Sequence, residues 1–334
     1  MPTDLRLEQL THWVHQTKPT ASLAPASADA SFRRYFRVTE EQQSWITMDA
    51  PPDKEALKPF IDVGERLVAA SVNAPAIYQS DLAQGFLLMD DLGNRPYLSE
   101  LTNDTADSLY ADALSALVKI QGATTTGLPC YDEVLLNDEL SLMPAWFLQQ
   151  HLGIELSDSE VSSLDDLFAF LVKSALEQPQ VFVHRDYHSR NLMITNENNP
   201  GVIDYQDAVL GPVAYDLVSL LRDCYIAWPE HKVVQWVNDF RLMAIEAGTL
   251  SASVSQPQLL RWFDLIGLQR HIKVLGIFAR LSHRDGKASY LKDLPLTLSY
   301  VLAVAGRYDE TKPLVSLFTK YDIPERIGTV ELVA

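Results

Sequence analysis

The spacing of apolar residues changes along the chain from a mixed strand pattern to a helical one. Leu7, Leu10 and Val14 recur at helical spacing and predict an amphipathic helix over 4–16. Short apolar runs bounded by turn residues then predict strands, with a further helix over 59–71. After the segment 89–93 the pattern is helical, and helices are predicted over 109–121, 138–151, 157–176, 216–224 and 261–282. The pattern as a whole predicts an α+β fold, with a small β-rich N-terminal part and a larger, mostly helical C-terminal part.

Within the helical part, residues 181–207 form an exception. Three apolar runs, over 181–183, 192–194 and 202–203, are separated by a polar loop and by a turn rich in Asn, Pro and Gly. This order predicts a strand, a loop, a hairpin and a second loop that carries an acid. We expect Asp186, Asn191 and Asp204 to converge at one end of a small sheet. The alternative is a buried hairpin with polar turns.

Two carboxylates and an amide at this spacing suit phosphoryl transfer. That reaction needs a carboxylate to orient and deprotonate the attacking hydroxyl, and oxygen ligands that hold Mg²⁺ against the nucleotide phosphates. An Asp followed five residues later by Asn, with an Asp after the next hairpin, is the order found in kinase catalytic loops. The pattern therefore indicates ATP and Mg²⁺ as cofactors.

The segments HRDYHSRNLMI and VIDYQDAVLGPVAYDL resemble the aminoglycoside phosphotransferase and choline-kinase-like family, which has a bilobal protein-kinase-like fold. The resemblance implies that Asp186 is the catalytic base and that Asn191 and Asp204 bind the metal. It also implies that Asp216 braces the catalytic loop and that His184 is structural.

The same resemblance implies that two successive parts of the chain have different roles. Residues 1–91 would form the nucleotide-binding lobe, and residues 92–334 the catalytic and substrate-binding lobe. The backbone between Met89 and Asp91 would hold the adenine edge.

The phosphate-covering turn departs from the usual glycine-rich pattern, because 27–31 contains no glycine. Ser31, Arg33 and Arg34 are the candidates for phosphate contacts, and one of the two arginines should face the nucleotide because neighbours on a strand point to opposite faces. The strand over 44–48 also lacks the lysine that kinases carry. Arg33, Arg34 or Arg37 could replace its charge. The alternative is a surface hairpin with exposed arginines.

A row of basic residues follows one side of the helix predicted over 261–282. Arg270, Lys273, Arg280 and Arg284 recur at helical spacing. They form either a solvated basic face or part of an acceptor pocket, where they would suit an anionic sugar or help hold the transferring phosphate. The candidates for substrate binding are Arg190, Asp207 and Arg280.

The composition of the chain argues against some classes of binding partner. The chain has 334 residues and a formal net charge of -17, which argues against nucleic acid and against an anionic membrane surface. Its two cysteines, Cys130 and Cys224, give neither a disulfide framework nor a zinc spacing, and they favour a cytoplasmic protein. The N-terminus does not have the pattern of a signal peptide. We expect a monomer.

A finer resemblance concerns the substrate. The segments DASFRRYFRV, MDAPP, LLMDDLG and LGIFARLSHRDGK resemble a branch of bacterial cell-wall recycling kinases. That branch phosphorylates N-acetylmuramate and N-acetylglucosamine at the anomeric hydroxyl, which implies a small amino sugar as the acceptor. One alternative is a phosphotransferase that acts on aminoglycosides or choline. The other, suggested by the absent glycine loop and lysine, is a nucleotide-binding regulatory protein without turnover.

Overall fold

The structure, a computed structural model, describes residues 4–28 and 32–332. Contacts divide the described chain into two units. The first contains the described residues up to Ser99 together with Asn191–Asp207, and the second contains Glu100–Arg190 and the described residues from Ala208 onward.

The first unit is built on a five-stranded antiparallel sheet with the order β1-β2-β3-β5-β4. Its strands are β1 (Ser22–Ala28), β2 (Arg34–Glu40), β3 (Gln43–Asp49), β4 (Ile77–Asp81) and β5 (Phe86–Asp90). Helix α1 (Leu5–His15) covers one face, where Trp13 and Val14 pack with Phe36 and Val38. Asp4 caps this helix, since its carboxylate accepts a hydrogen bond from the Leu7 N–H at 3.0 Å. The amphipathic helix predicted from the sequence is thereby confirmed.

A small hairpin belongs to the same unit although it comes much later in the chain. Its strands are β7 (Leu192–Met193) and β8 (Gly201–Val202), and the unit also contains α2 (Leu57–Ala69) and most of α3 (Tyr97–Glu100). The Val202 N–H donates to the Asn73 carbonyl at 2.8 Å, and the rings of Phe60 and Tyr205 lie 4.8 Å apart. A side chain at Gly64 would come within 2.8 Å of the Tyr205 hydroxyl, so α2 packs closely on the segment after β8.

The second unit is mostly helical. It contains the two-stranded sheet β6 (Gln180–Val183) and β9 (Val209–Pro212). Its helices are α4 (Ala106–Gln121), α5 (Glu133–Leu140), a π-helix (Met143–His151), α6 (Asp158–Leu176), α7 (Tyr215–Leu221), α8 (Glu230–Glu246), α9 (Gln256–Asp285), a 3-10 helix (Ala288–Asp293), α10 (Leu294–Ala305), α11 (Lys312–Lys320) and α12 (Ile323–Ile327). The long α9 is central, because it packs against the π-helix, α6, α7 and α10.

Two local predictions need correction. The single helix predicted over 138–151 is two helices, because Pro144 lies at the start of the π-helix, where a missing N–H is tolerated. The expected single small sheet around the loop that carries Asp186 is also wrong. Strand β6 pairs with β9, whereas β7 pairs with β8 in the first unit. By contrast, the helix predicted over 157–176 is confirmed, and Ser157 and Glu160 form its capping box.

Candidate active site

The loop that carries Asp186 is held at both ends by buried carboxylates of the second unit. Near its start, Asp216 at the beginning of α7 accepts hydrogen bonds from the N–H groups of His184 at 2.6 Å and Arg185 at 3.0 Å. Near its end, Asp223 accepts from the N–H and hydroxyl of Ser189, at 2.9 and 2.5 Å. Burial raises the pKa of Asp216 to about 7, so its ionised form depends on those two N–H donors.

Arg185 has a left-handed backbone, with φ of 76°. Non-glycine residues adopt that conformation only where their surroundings stabilise it. Its side chain donates to the buried carboxylate of Glu139 on α5. Glu139 is also paired with Lys273 at 2.7 Å and accepts a hydrogen bond from Tyr131. This buried network fixes the side chain of the residue immediately before Asp186.

The charges around Asp186 keep it ionised. Burial alone would raise the pKa of its carboxyl group, but His188, Lys273, Arg270 and Arg185 together lower it below the usual range. An ionised carboxylate can accept a proton from a hydroxyl group. His184, buried nearby, accepts a hydrogen bond from the Asp186 N–H at 3.3 Å, so its Nδ1 acts as the acceptor.

Glu139 and Asp223 were not identified from the sequence. Glu139 lies three residues after buried Leu136 and next to buried Leu140, so an acid on the apolar side of a predicted helix was the available signal. Asp223 follows the apolar run of α7 and is buried. The sequence around each residue did not indicate which residue of the loop it would contact.

We expect Glu139→Gln to destabilise the protein by about 3–5 kcal/mol, because it leaves the buried Lys273 and the partly buried Arg185 without their counter-charge. Urea unfolding followed by circular dichroism measures this change. Glu310→Gln is the matched control: its ion pair with Arg261 is exposed, so the expected loss is about 1 kcal/mol or less. Equal losses for the two variants would show that the buried network does not stabilise the fold.

In the first unit, the structure brings Asn191 and Asp204 together. The Asn191 amide donates to Asp204 Oδ2 at 3.3 Å, and the Ile203 N–H donates to the Asn191 carbonyl at 3.1 Å. Asp204 has a left-handed backbone, with φ of 63°, and Gln206 donates to its other carboxylate oxygen at 3.1 Å. One carboxylate and one amide oxygen are hard donors of the kind that Mg²⁺ prefers, and Mg²⁺ completes its shell with waters and phosphates. The residues present therefore fit that ion.

The two candidate phosphate-binding arginines have different surroundings. Arg34 is ion-paired with Asp4 and, at 2.6 Å, with the fully buried Asp49, which Arg6 also contacts. Arg33 lies 3.9 Å from the Glu55 carboxylate. Arg33 immediately precedes β2, whose first residue is Arg34. Ser31, the third candidate, lies outside the described residues.

Arg37 stabilises the turn after β5. Its guanidinium makes two hydrogen bonds to the Asp91 carboxylate, at 2.6 and 3.0 Å, and one to the Gly93 carbonyl at 3.0 Å. Burial opposes ionisation of Asp91, but Arg37 and the other donors around it lower its pKa. Because that carboxylate is occupied, a nucleotide contact in this segment would come from the backbone. Met89 lies in β5, and its side chain is buried.

The basic residues predicted to form one row on α9 do not lie on a single exposed surface. Arg270 and Lys273 are buried, Arg280 is partly buried and Arg284 is ion-paired with Asp285 at 2.8 Å. The interpretation as a single solvated face is therefore wrong for Arg270 and Lys273. The other two substrate candidates lie at the ends of the segments that carry Asp186 and Asp204. Arg190 ends the Asp186 loop, and the exposed Asp207 accepts a hydrogen bond from Gln206 at 3.0 Å.

A family model described as "Phosphotransferase enzyme family" matches residues 22–248. The chain belongs to this family. It is 44% identical over 330 residues to a protein of Pseudomonas aeruginosa and 42% identical over 330 residues to one of Pseudomonas putida. Both are named N-acetylmuramate/N-acetylglucosamine kinase, and each match covers 95% of this chain and 97% of the relative. The family resemblance predicted from the sequence is confirmed.

Solved structures agree with the predicted fold of this phosphotransferase. An ADP-bound aminoglycoside phosphotransferase, APH(2'')-Ib, matches with a TM-score of 0.57 and 16% identity, covering 89% of this chain and 98% of that one. A choline/ethanolamine kinase family protein from Mesorhizobium loti matches with a TM-score of 0.63 and 13% identity, covering 95% and 98%. The α+β, protein-kinase-like fold class is thereby confirmed. Within the described part of the chain, no helix is long and apolar enough to span a bilayer.

Proposed function

We propose that this phosphotransferase uses ATP to phosphorylate N-acetylmuramate and N-acetylglucosamine. The observation that carries the proposal is the 40–44% identity, over at least 95% of the chain, to three proteins named as kinases of these two sugars. The acceptor that we propose is the anomeric hydroxyl, and the product is the corresponding sugar 1-phosphate. The anomeric hydroxyl is more acidic than an ordinary alcohol, so a carboxylate with a lowered pKa suffices as its base.

In the proposed reaction, Asp186 orients the anomeric hydroxyl and accepts its proton as the sugar oxygen attacks the γ-phosphorus of ATP. The bond from that phosphorus to the β–γ bridging oxygen breaks, and ADP leaves. Asp216 and Asp223 hold the backbone that positions this carboxylate. His184 supports the loop from within the core.

Asn191 and Asp204 are the residues that would hold Mg²⁺. The bound ion would neutralise charge on the transferring phosphate. The hydrogen bond between the two side chains fixes their orientation in advance. Asp204 is the stronger ligand of the pair because it carries a full charge.

For the nucleotide, we propose that Arg33 or Arg34 contacts the phosphates; Arg34 is also ion-paired with Asp4 and Asp49. Ser31 remains a proposed phosphate contact from the same turn. The backbone from Met89 to Asp91 would bind the adenine, in a conformation that the Arg37–Asp91 pair supports. We further propose that the enzyme acts as a monomer in the cytoplasm, where ATP is available, and serves peptidoglycan recycling.

The purified protein should release ADP from Mg-ATP in the presence of either N-acetyl sugar. The sugar product should resist borohydride, because a phosphate on C1 blocks reduction. An aminoglycoside and choline serve as competing acceptors, and reduction of the unphosphorylated sugars is the control. Turnover on the amines alone would reject the substrate assignment. ATP binding without turnover on any acceptor would favour a nucleotide-binding regulatory protein.

A further inference from the structure

Aromatic side chains form a chain of contacts in the second unit, starting from the catalytic loop. The ring of His188, two residues after Asp186, lies 5.4 Å from that of Tyr225. Tyr225 in turn lies 6.5 Å from Phe278, and Phe278 lies 5.5 Å from Tyr290. Aromatic faces with a few polar groups are typical of small-molecule sites. Phe278 is buried, but Tyr225 and Tyr290 are partly exposed, so part of this cluster is accessible to an acceptor molecule.

Arg190 lies against this cluster. Its guanidinium is 3.4 Å from the centre of the Tyr225 ring, and its side chain is 37% exposed. Its ion-pair contact is with Asp293, at the long distance of 4.0 Å. Among the described residues, its guanidinium has no hydrogen-bond acceptor. Stacking uses the face of a guanidinium and leaves its edge, a fork of N–H donors, available for a carboxylate.

Asp293, the ion-pair partner of Arg190, provides a hydrogen-bond acceptor beside it. Its Oδ2 atom is buried and has no hydrogen-bond donor among the described residues. The side chain is nevertheless 15% exposed, so it is not sealed inside the core. A buried acceptor without a donor is unfavourable, and native proteins satisfy nearly all such atoms. The same atom lies 4.0 Å from Arg190 Nη2, beyond hydrogen-bond distance, so it is available to a donor on a bound molecule.

We propose that Tyr225, Arg190 and Asp293 form the acceptor-sugar subsite, in which Arg190 binds the lactyl carboxylate of N-acetylmuramate. Asp293 accepts a hydrogen bond from a hydroxyl group that both sugars carry. This inference rests on the proposed function. It assigns the discrimination between the two sugars to Arg190, because N-acetylglucosamine has no carboxylate.

The other basic residues are less suited to this role. Arg270 is buried and donates to the Cys224 sulfur at 3.5 Å, and Lys273 is paired with Glu139. Arg280 follows Phe278 by two residues on α9, and residues at that spacing do not share a helix face. Arg190 is the one that directly contacts the aromatic cluster through Tyr225.

The test compares kcat/KM for the two sugars in the wild type, Arg190→Gln and Arg190→Lys. Arg190→Gln should lower kcat/KM for N-acetylmuramate by about 10- to 100-fold, the usual effect of losing a charged hydrogen bond. For N-acetylglucosamine the expected loss is several times smaller. Arg190→Lys keeps the charge but loses the fork, so its loss on N-acetylmuramate should be intermediate. If Arg190→Gln does not fold, Arg190→Lys still tests the proposal.

Arg261→Gln is the matched control. Arg261 is 41% exposed, lies 4.8 Å over the Tyr308 ring and pairs with Glu310 at 3.1 Å. Its substitution changes the charge equally and should leave the ratio of the two kcat/KM values unchanged. Asp293→Asn should lower kcat/KM for both sugars by a similar factor, about tenfold.

Two outcomes would overturn the subsite: equal losses on both sugars in Arg190→Gln, or no loss on either. A wild type that phosphorylates neither sugar would instead overturn the proposed function, and the subsite with it. Thermal melting of each variant separates loss of binding from loss of folding.

Discussion

Asp186→Asn should lower kcat by about 10²–10⁴-fold, the range expected when a general base is removed. Asn can still accept a hydrogen bond from the sugar hydroxyl, but it cannot take its proton. The affinity for ATP should change little, because the proposed nucleotide and metal contacts come from other residues. Single-turnover assays with either N-acetyl sugar, together with calorimetric titration of ATP, measure the two quantities separately.

The control for this substitution is Asp165→Asn, at an exposed position of α6. It makes the same chemical change in the same unit and should leave kcat unchanged. If Asp186→Asn retained more than about a tenth of the wild-type kcat, Asp186 would not be the base. The charges that lower the pKa of its carboxyl group would then serve another purpose.

The parts of the site that are local in sequence could be predicted. The spacing of Asp186 and Asn191 on one loop predicted the chemistry, and the capping box of Ser157 and Glu160 predicted the start of α6. Both depend on residues only three to five positions apart. Short-range geometry of this kind follows from the periodicity of helices and the lengths of turns.

The interactions that hold the site together could not be predicted, because they join distant residues. Glu139 reaches Arg185 across 46 positions, and Asp223 reaches Ser189 across 34. The sequences around Glu139 and Asp223 do not indicate which distant residue each of them contacts.

The basic residues of α9 show a second reason why the sequence alone could not predict all of the structure. Periodicity assigned Arg270 and Lys273 to a polar side of the helix. The helix is instead buried on several sides because it packs against the π-helix, α6, α7 and α10. A helix surrounded by others has no single solvent face to detect. The buried cations are stabilised by groups of other elements, such as Glu139 for Lys273.

Asp204→Asn should have the other large effect, a loss of on the order of 10²–10³-fold in kcat, because a metal ligand contributes several kcal/mol of charge stabilisation. The substitution keeps the shape of the side chain and removes its charge. Asn also tolerates the left-handed backbone at this position, where φ is 63°, so folding should be preserved. Mg²⁺ titrations of activity should show a higher half-saturating concentration. Calorimetry should show that Mg²⁺ no longer strengthens ATP binding as it does in the wild type.

Asp322→Asn is the matched control for Asp204→Asn. Asp322 is exposed and also has a left-handed backbone, with φ of 52°, at the start of α12 in the second unit. The same chemical change in the same backbone conformation should leave both kcat and the Mg²⁺ dependence unaltered. If Asp204→Asn lost activity but kept the wild-type Mg²⁺ dependence, Asp204 would act by shaping the segment after β8 rather than by binding the ion. The hydrogen bonds from Asn191 and Gln206 would then be its main function.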